Sequence, residues 1–285
     1  MLVAATAFAA GCLMRAQGGS KPALWAATLA LAVVIAAKPP YAPLSLLIFC
    51  VGPASYQAVR LPGFMALAVL PGLTWLVVVT SQVATDFVVA EPYIPGPLWT
   101  GIAGFRFTTV ARDVQTAILL RHPWLMFTMP WATLRLEGDE LLRQMIGVLA
   151  QLNLALPRWA YRVWDLALPL ACLSGIVTRS REKHLSAWGE AIPILIAWTG
   201  IIASIAAVIL SQYVSWTHVG LETVAGVQGR YFLPILAFLP FALPQLMPQT
   251  SMTNVIRTSA HAAVAICAAA NLVILPSLVL TTYYR

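Results

Sequence analysis

The stretch EAIPILIAWTGIIASIAAVILSQ at 190–212 is long, apolar and almost free of charge, and it decides the class of this protein. The hydrocarbon core of a lipid bilayer is about 30 Å thick, which an α-helix of roughly 20 apolar residues crosses. The run is too long and too continuous for the alternating strands of about ten residues that build an outer-membrane barrel. It therefore predicts a membrane-spanning helix.

Similar apolar runs fill most of the chain. Of the 285 residues, 60% are hydrophobic and 9% are charged, which excludes an ordinary soluble domain. Because only helices or closed barrels cross a bilayer, we predict an all-α, polytopic transmembrane bundle of about eight spans. The spans are expected at 1–14, 22–37, 42–59, 62–83, 163–178, 190–212, 231–247 and 258–281.

The sequence divides into three parts. Residues 1–83 hold transmembrane helices one to four, and residues 163–285 hold helices five to eight. The loop between them, 84–162, contains 7 of the 17 basic and 6 of the 10 acidic residues. We expect short amphipathic helices lying at the membrane surface in this loop, joined by turns such as EPYIPGP at 91–97. One helical stripe follows Asp139, which we expect to cap the start of that helix.

The distribution of basic residues predicts the orientation in the membrane. Short cytoplasmic loops carry an excess of Lys and Arg. Successive loops lie on alternate sides of the membrane, so the basic residues of the short loops fall into two sets. The larger set is Arg15, Lys21, Arg60, Arg179, Arg181, Lys183 and Arg257, and the smaller set is Lys38, Arg230 and Arg285. The larger set is therefore expected in the cytoplasm, which places the loop 84–162 on the extracytoplasmic side. The net charge of +7 is then explained by cytoplasmic loops, and we expect no nucleic-acid binding.

The sequence contains no metal or cofactor motif. Its cysteines, Cys12, Cys50, Cys172 and Cys267, lie inside apolar runs without CxxC spacing and are interpreted as packing residues. No P-loop or dinucleotide-binding motif occurs. The chain opens on the apolar run LVAATAFAAGCLM at 2–14, with Arg15 after it, an order unlike that of a secretory signal. We expect the chain to begin inside a longer protein.

Two basic residues, Lys38 and Arg230, are expected at the external membrane edge, where the positive-inside pattern disfavours them. A cation there can bind a lipid phosphate, and arginine does so through two parallel hydrogen bonds. Gln228 and Tyr231 flank Arg230 with neutral donors. These four residues are the candidate lipid-phosphate site. The alternative is that both cations only extend to the head groups, with Glu222 or His218 as an ion-pair partner of Arg230.

No catalytic residue can be identified from the pattern. Asp113 is expected at a helix start, and Asp86 at a helix boundary facing water. Both are therefore interpreted as structural carboxylates.

Four segments carry a family resemblance: KPPY at 38–41, RHP at 121–123, GVLAQLNLALPRW at 147–159 and GVQGRYFLP at 226–234. In this order they resemble the C-terminal portion of a bacterial family of multi-pass membrane proteins of unknown function, itself related to the GT-C glycosyltransferases. The resemblance implies a plasma-membrane enzyme that transfers a sugar from a polyprenyl-phosphate donor to an acceptor outside the cytoplasm.

The sequence departs from the family pattern in one segment. Where relatives show GxLGxLD, this chain has Ala150 for the second glycine and Asn153 for the acid. Asparagine cannot act as a general base. In GT-C enzymes the acidic catalytic residue usually lies in the first external loop, which the resemblance places before this chain. A non-enzymatic transport or scaffold protein for envelope glycans is therefore the second hypothesis, with membrane lipid as the partner in either case.

Overall fold

The structure is a computed structural model that describes residues 1–51, 60–83, 87–93, 104–149, 154–177, 187–219, 221, 223–243 and 251–283. Helices dominate this part of the chain, which confirms the predicted helical class. In chain order they are α1 Leu2–Gln17, α2 Lys21–Ala37, α3 Leu61–Val78, α4 Arg112–Arg121, α5 Leu125–Gly147, α6 Arg158–Val177, α7 Ala187–Trp216, α8 Leu233–Leu236, α9 Leu239–Ala242 and α10 Ser251–Tyr283. A 3-10 helix, η1, covers Pro39–Cys50, and a π-helical segment, Val79–Val83, extends α3.

Three helical stretches among the described residues are long and apolar enough to cross a membrane. They are Leu61–Ser81, Ala191–Trp216 and Asn254–Thr282, and they correspond to the fourth, sixth and eighth predicted spans. The apolar helices α1, α2 and η1 are shorter. The structure thus supports a membrane protein with several apolar helices, and the total of about eight spans stays a prediction.

The predicted seventh span, 231–247, does not form one continuous helix over the residues that the structure describes, which reach residue 243. Its residues form the two short helices α8 and α9, each with a proline near its start. Because Pro234 and Pro240 lack the amide hydrogen that a continuous helix needs, one long helix does not form. Ile235 of α8 and Phe241 of α9 instead pack into the core, together with Phe238 between the two helices.

The main apolar core lies among α1, α2, η1, α3, α7, α8 and α9. The largest fully buried side chains from α2 and η1 are Tyr41, Leu24, Leu31, Ile35, Leu44, Leu47 and Ile48. Helix α3 approaches α2 closely at Gly72, where a Cβ atom would lie 2.5 Å from the Ile35 side chain. This packing holds α2 at the centre of the N-terminal helices.

A second, smaller core joins the long loop to the end of α7. It contains Leu119 of α4, Met129 and Leu141 of α5, Ile209 and Tyr213 of α7, and Val224 and Val227. The loop helices α4 and α5 are therefore packed on the protein as well as being amphipathic. Helix α5 begins at Leu125, so Asp139 lies in its interior and the prediction that Asp139 caps the helix is wrong. Helix α5 continues through Pro130 and Gly138 without a break.

The loop also contains two antiparallel pairs of strands that the sequence interpretation did not include. Strand β1 (Phe87–Tyr93) pairs with β2 (Gly104–Val110), and β3 (Val148–Leu149) pairs with β4 (Leu154–Ala155). The first two segments are rich in β-branched and aromatic residues, which favour strands. The hydroxyl group of Tyr161 closes the second pair. It donates to the Gly147 carbonyl oxygen at 2.8 Å and accepts the Leu156 amide at 3.0 Å.

Candidate functional site

Lys38 lies between α2 and η1, at the corner where the chain turns out of α2. It precedes Pro39, and the residue before a proline is forced out of the helical region. Its backbone is accordingly extended, with φ −148° and ψ 90°. The side chain is half-buried. The KPPY segment thus ends α2 and leaves a cation at that end of the helix.

Two tyrosines hold this corner against a segment 190 positions away in the chain. The Lys38 Nζ atom lies 3.1 Å from the centroid of the Tyr231 ring and 5.8 Å from that of Tyr41. The buried Tyr41 hydroxyl donates a hydrogen bond of 2.7 Å to the Tyr231 carbonyl oxygen. The structure therefore brings the KPPY and QGRY segments together, as grouping Lys38 with Tyr231 in one candidate site requires.

Arg230 lies in the 3-10 turn Gly229–Tyr231 and is exposed. Its Nε atom donates to the Gln228 side-chain oxygen at 2.6 Å. Burial, and then the positive charge of Arg230, lower the pKa of Lys38 from its ordinary 10.5 to about 8. Of the described residues, none supplies a carboxylate paired with Lys38 or Arg230. The two cations form one positively charged site.

The turn that carries Arg230 is fixed by α5. The Gly229 amide donates to the Gln144 side-chain oxygen at 2.9 Å. Gly229 is buried, and a Cβ atom added to it would collide with the carbonyl oxygen of Leu141 and lie 2.7 Å from the Met145 nitrogen. A side chain of any size is therefore excluded here. The loop helix α5 and the QGRY segment form one packed unit.

Gln144 also donates to the Glu140 carboxylate at 3.4 Å, one helical turn away on α5. Glu140 is exposed. Sequence reasoning missed both residues, although their spacing of four places them on one face of a helix. The hydrogen bonds from Glu140 through Gln144 to Gly229 bring a carboxylate to the edge of the site.

Three hydrogen bonds fix the chain before Gln228, and two of them come from the loop helices. The Ala225 amide donates to the Thr217 hydroxyl at 3.1 Å, and the buried Gln115 donates to the Thr217 carbonyl at 2.9 Å. The Val224 amide donates to the buried Thr133 hydroxyl at 3.2 Å. Together, the two bonds from α4 and α5 and the bond between Ala225 and Thr217 set the direction in which the chain enters the QGRY turn.

Other residues singled out from the sequence lie away from these contacts or outside the described part. Asp113 lies in the first turn of α4, which confirms its expected position at a helix start. Asp86, Ala150, Asn153 and Glu222 lie outside the described residues. Over the ranges given above, no group of three His, Cys, Asp or Glu side chains is placed to hold a metal ion.

The arrangement is suited to binding a phosphate group. An arginine guanidinium binds two phosphate oxygens in parallel, and a lysine ammonium adds a second charge. Gln228 orients Arg230 through Nε and leaves its terminal nitrogens without a hydrogen-bond partner among the described residues. The site therefore offers two positive charges, directed donors and an aromatic wall formed by Tyr231.

Comparison with curated proteins and with solved structures finds no match to this chain. The sequence model of one family, described as "Predicted membrane protein (DUF2142)", matches residues 1–239. The matched region includes Lys38, the loop helices α4 and α5, and the QGRY turn. Since the match covers most of the chain, this protein belongs to the DUF2142 family of membrane proteins.

Proposed function

We propose that this protein is a GT-C-like glycosyltransferase, or the donor-binding membrane part of one, that uses a polyprenyl-phosphate-linked sugar in envelope polysaccharide assembly. It acts in the bacterial plasma membrane, with residues 84–162 on the extracytoplasmic side. The observation that carries the proposal is the convergence of Lys38 and Arg230 beside Tyr231. These residues come from distant parts of the chain.

The charge balance of the site favours an anionic ligand. Two like charges held together repel each other, and the repulsion grows as water is excluded. Burial and, to a smaller extent, the charge of Arg230 lower the pKa of Lys38, so both act against its charged form. No Asp or Glu precedes Asp86 in the sequence, so α1, α2, η1 and α3 bring no carboxylate to Lys38. The exposed Glu140 at the edge of the site accepts a hydrogen bond from Gln144. A phosphate between the two cations would remove the repulsion.

The surface leading away from Lys38 suits a prenyl chain. Trp25, Leu29, Val33 and Ala37 are all exposed and recur every four residues along α2. Residues at this spacing lie on one face of a helix, so they form an apolar stripe that ends beside Lys38. A polyprenyl phosphate would place its phosphate between Lys38 and Arg230 and its chain along this stripe.

The proposed chemistry is sugar transfer with departure of polyprenyl phosphate. An acceptor hydroxyl oxygen attacks the anomeric carbon while the bond from that carbon to the phosphate oxygen breaks, and the hydroxyl proton goes to a base. The leaving phosphate gains one negative charge, which Lys38 and Arg230 stabilise. We assign no catalytic base. The cations then contribute to the transition state as well as to donor binding.

The test is binding of polyprenyl phosphate to the full chain in lipid nanodiscs. Loss of a charge-assisted hydrogen bond costs about 1.5–3 kcal/mol, so Arg230→Ala should weaken binding roughly tenfold to hundredfold. Arg135→Ala removes an exposed arginine of α5 and serves as the matched control, with binding expected to stay within about twofold of the parent protein. Equal affinity of the Arg230→Ala variant and the parent would overturn the proposed site.

A second measurement separates an enzyme from a scaffold. The protein isolated from its native membrane is supplied with a polyprenyl-phosphate-linked sugar, and release of polyprenyl phosphate is followed. Turnover that falls in the Arg230→Ala variant supports a glycosyltransferase. Tight binding without any turnover would contradict the enzymatic proposal and favour the non-enzymatic transport or scaffold function.

A further inference from the structure

A groove of 330 Å³ lies at the other end of α2, where the starts of α2 and α3 meet. It is lined by Lys21, Trp25, Arg60, Gly63, Phe64 and Leu67. Helix α2 has 17 residues at a rise of 1.5 Å each, so this groove is about 25 Å from Lys38. The cations of the groove are therefore separate from Lys38 and Arg230, although Trp25 belongs both to the groove and to the apolar stripe that leads to Lys38.

One wall of the groove is apolar and aromatic. The rings of Trp25 and Phe64 meet edge to face, with centroids 4.8 Å apart and an angle of 69° between the planes. Half of the Trp25 surface and 39% of the Leu67 surface remain exposed. Trp25 also begins the apolar stripe that continues through Leu29 and Val33. The apolar wall of the groove therefore continues into the exposed face of α2.

The rim of the groove is positively charged. Lys21 and Arg60 are both exposed, and neither is paired with a carboxylate among the described residues. The sequence contains no acidic residue before position 86, so α1, α2 and α3 have no negative charge to place here. Two cations thus stand over an apolar wall in a membrane protein.

We propose that this groove binds an anionic glycerophospholipid, with its phosphate between Lys21 and Arg60 and an acyl chain against Trp25 and Leu67. Charge complementarity selects an anionic ligand, because the lining residues that the structure describes carry two positive charges and no negative one. The continuous apolar wall selects a lipid over a soluble anion, which would leave that surface unused. The lipid would join the starts of α2 and α3 at the membrane surface.

The experiment is native mass spectrometry of the full chain with added phosphatidylglycerol, with phosphatidylcholine in a parallel series. The double variant Lys21→Gln/Arg60→Gln should lose bound phosphatidylglycerol at least roughly tenfold, because two charge-assisted contacts are removed. Phosphatidylcholine binding should not change between the two proteins. Glycerol phosphate, which has the head group without acyl chains, should not displace the lipid.

Arg15→Gln is the matched control, since Arg15 is exposed, belongs to the same predicted cytoplasmic set and does not line the groove. Its phosphatidylglycerol binding should equal that of the parent protein. Equal loss in Arg15→Gln and the double variant would show general attraction to positive charge and overturn the site. Retention of phosphatidylglycerol by the double variant would overturn it as well. Displacement by glycerol phosphate would show that the groove binds a soluble anion. Both single variants are also measured, so that poor folding of the double variant still leaves a result.

Discussion

A lysine and an arginine lie near each end of α2, but the surroundings of the two pairs differ. At its start, Lys21 and Arg60 are exposed on the rim of an open groove. At its end, Lys38 is half-buried, contacts the Tyr231 ring and lies near Arg230, which is itself held by Gln228. The cations at the Lys38 end therefore have a geometry fixed by their neighbours, whereas those at the start of α2 do not. We expect the start to bind head groups loosely and the end to bind one phosphate in one orientation.

The largest effect is expected from substitution of Gly229, at the Lys38 end of α2. Gly229→Ala forces a Cβ atom into the Leu141 carbonyl oxygen, so α5 and the QGRY turn must separate. We expect a loss of roughly 3 kcal/mol in unfolding free energy, at the upper end for overpacking, together with loss of polyprenyl-phosphate binding. Thermal unfolding in detergent and the nanodisc binding assay measure the two effects.

Gly63→Ala is the matched control at the start of α3. No atom lies within 4 Å of the Cβ position at Gly63, and the residue is in a helix. Alanine should therefore change stability by less than about 1 kcal/mol, in the stabilising direction. If Gly229→Ala were as stable as Gly63→Ala, the close contact between α5 and the QGRY turn would be wrong.

The second effect is a pH dependence at the Lys38 end. The pKa of Lys38 is lowered to about 8, so its charge is present at pH 7 and is lost as the pH rises above that value. The charged and titratable groups against it are Arg230, Tyr41 and Tyr231. Polyprenyl-phosphate affinity should fall roughly tenfold between about pH 7 and pH 9, since one pH unit above the pKa leaves about a tenth of the lysine charged. Titration of binding against pH measures it.

Lys38→Arg tests the cause, because arginine keeps its charge over this range. The variant should bind with a flat pH profile, and an unchanged fall would show that another group titrates. The stability of the ligand-free protein should change with pH in the opposite direction to the ligand affinity. The lowered pKa means that the unfolded chain binds the proton more tightly, so stability of the empty protein should rise as the pH increases from about 8 towards 10.5.

The smallest effect concerns the hydrogen bond that joins the two chain segments. Tyr41→Phe removes the donor to the Tyr231 carbonyl oxygen and should lower stability by about 1 kcal/mol. Tyr213→Phe is the control, since Tyr213 is also buried but its hydroxyl makes no hydrogen bond to a described residue. Thermal unfolding of the two variants compares them. An equal change in both would mean that the Tyr41 bond contributes nothing specific.

The helical membrane class and two of the key cations could be predicted from the sequence. Long apolar runs can satisfy their backbone only as helices in lipid, so 190–212 indicated a span directly. Lys38 and Arg230 stood out because they break the charge pattern of the loops. Both inferences depend on local composition, which a single sequence displays in full.

The contacts that build the site could not be predicted in the same way. The approach of Gly229 to Leu141 and Gln144 joins positions about 85 residues apart, and no local pattern records such a pairing. The apolar run at 231–247 has the composition of a span, yet as far as residue 243 Pro234 and Pro240 divide it into two short helices. Asp139 resembled a helix cap, but α5 starts a full 14 residues earlier, at Leu125. In each case tertiary packing or backbone chemistry overrode the local signal.

A phosphate site at the Lys38 end is tested most directly by comparing the polyprenyl-phosphate binding of two variants, Arg230→Gln and Arg60→Gln. Each variant removes one arginine, and the two arginines lie near opposite ends of α2. Both arginines are exposed, so loss of general surface charge is matched. We expect Arg230→Gln to weaken binding at least roughly tenfold and Arg60→Gln to leave it unchanged. Equal weakening in both variants, or none in Arg230→Gln, would contradict a phosphate site at the Lys38 end.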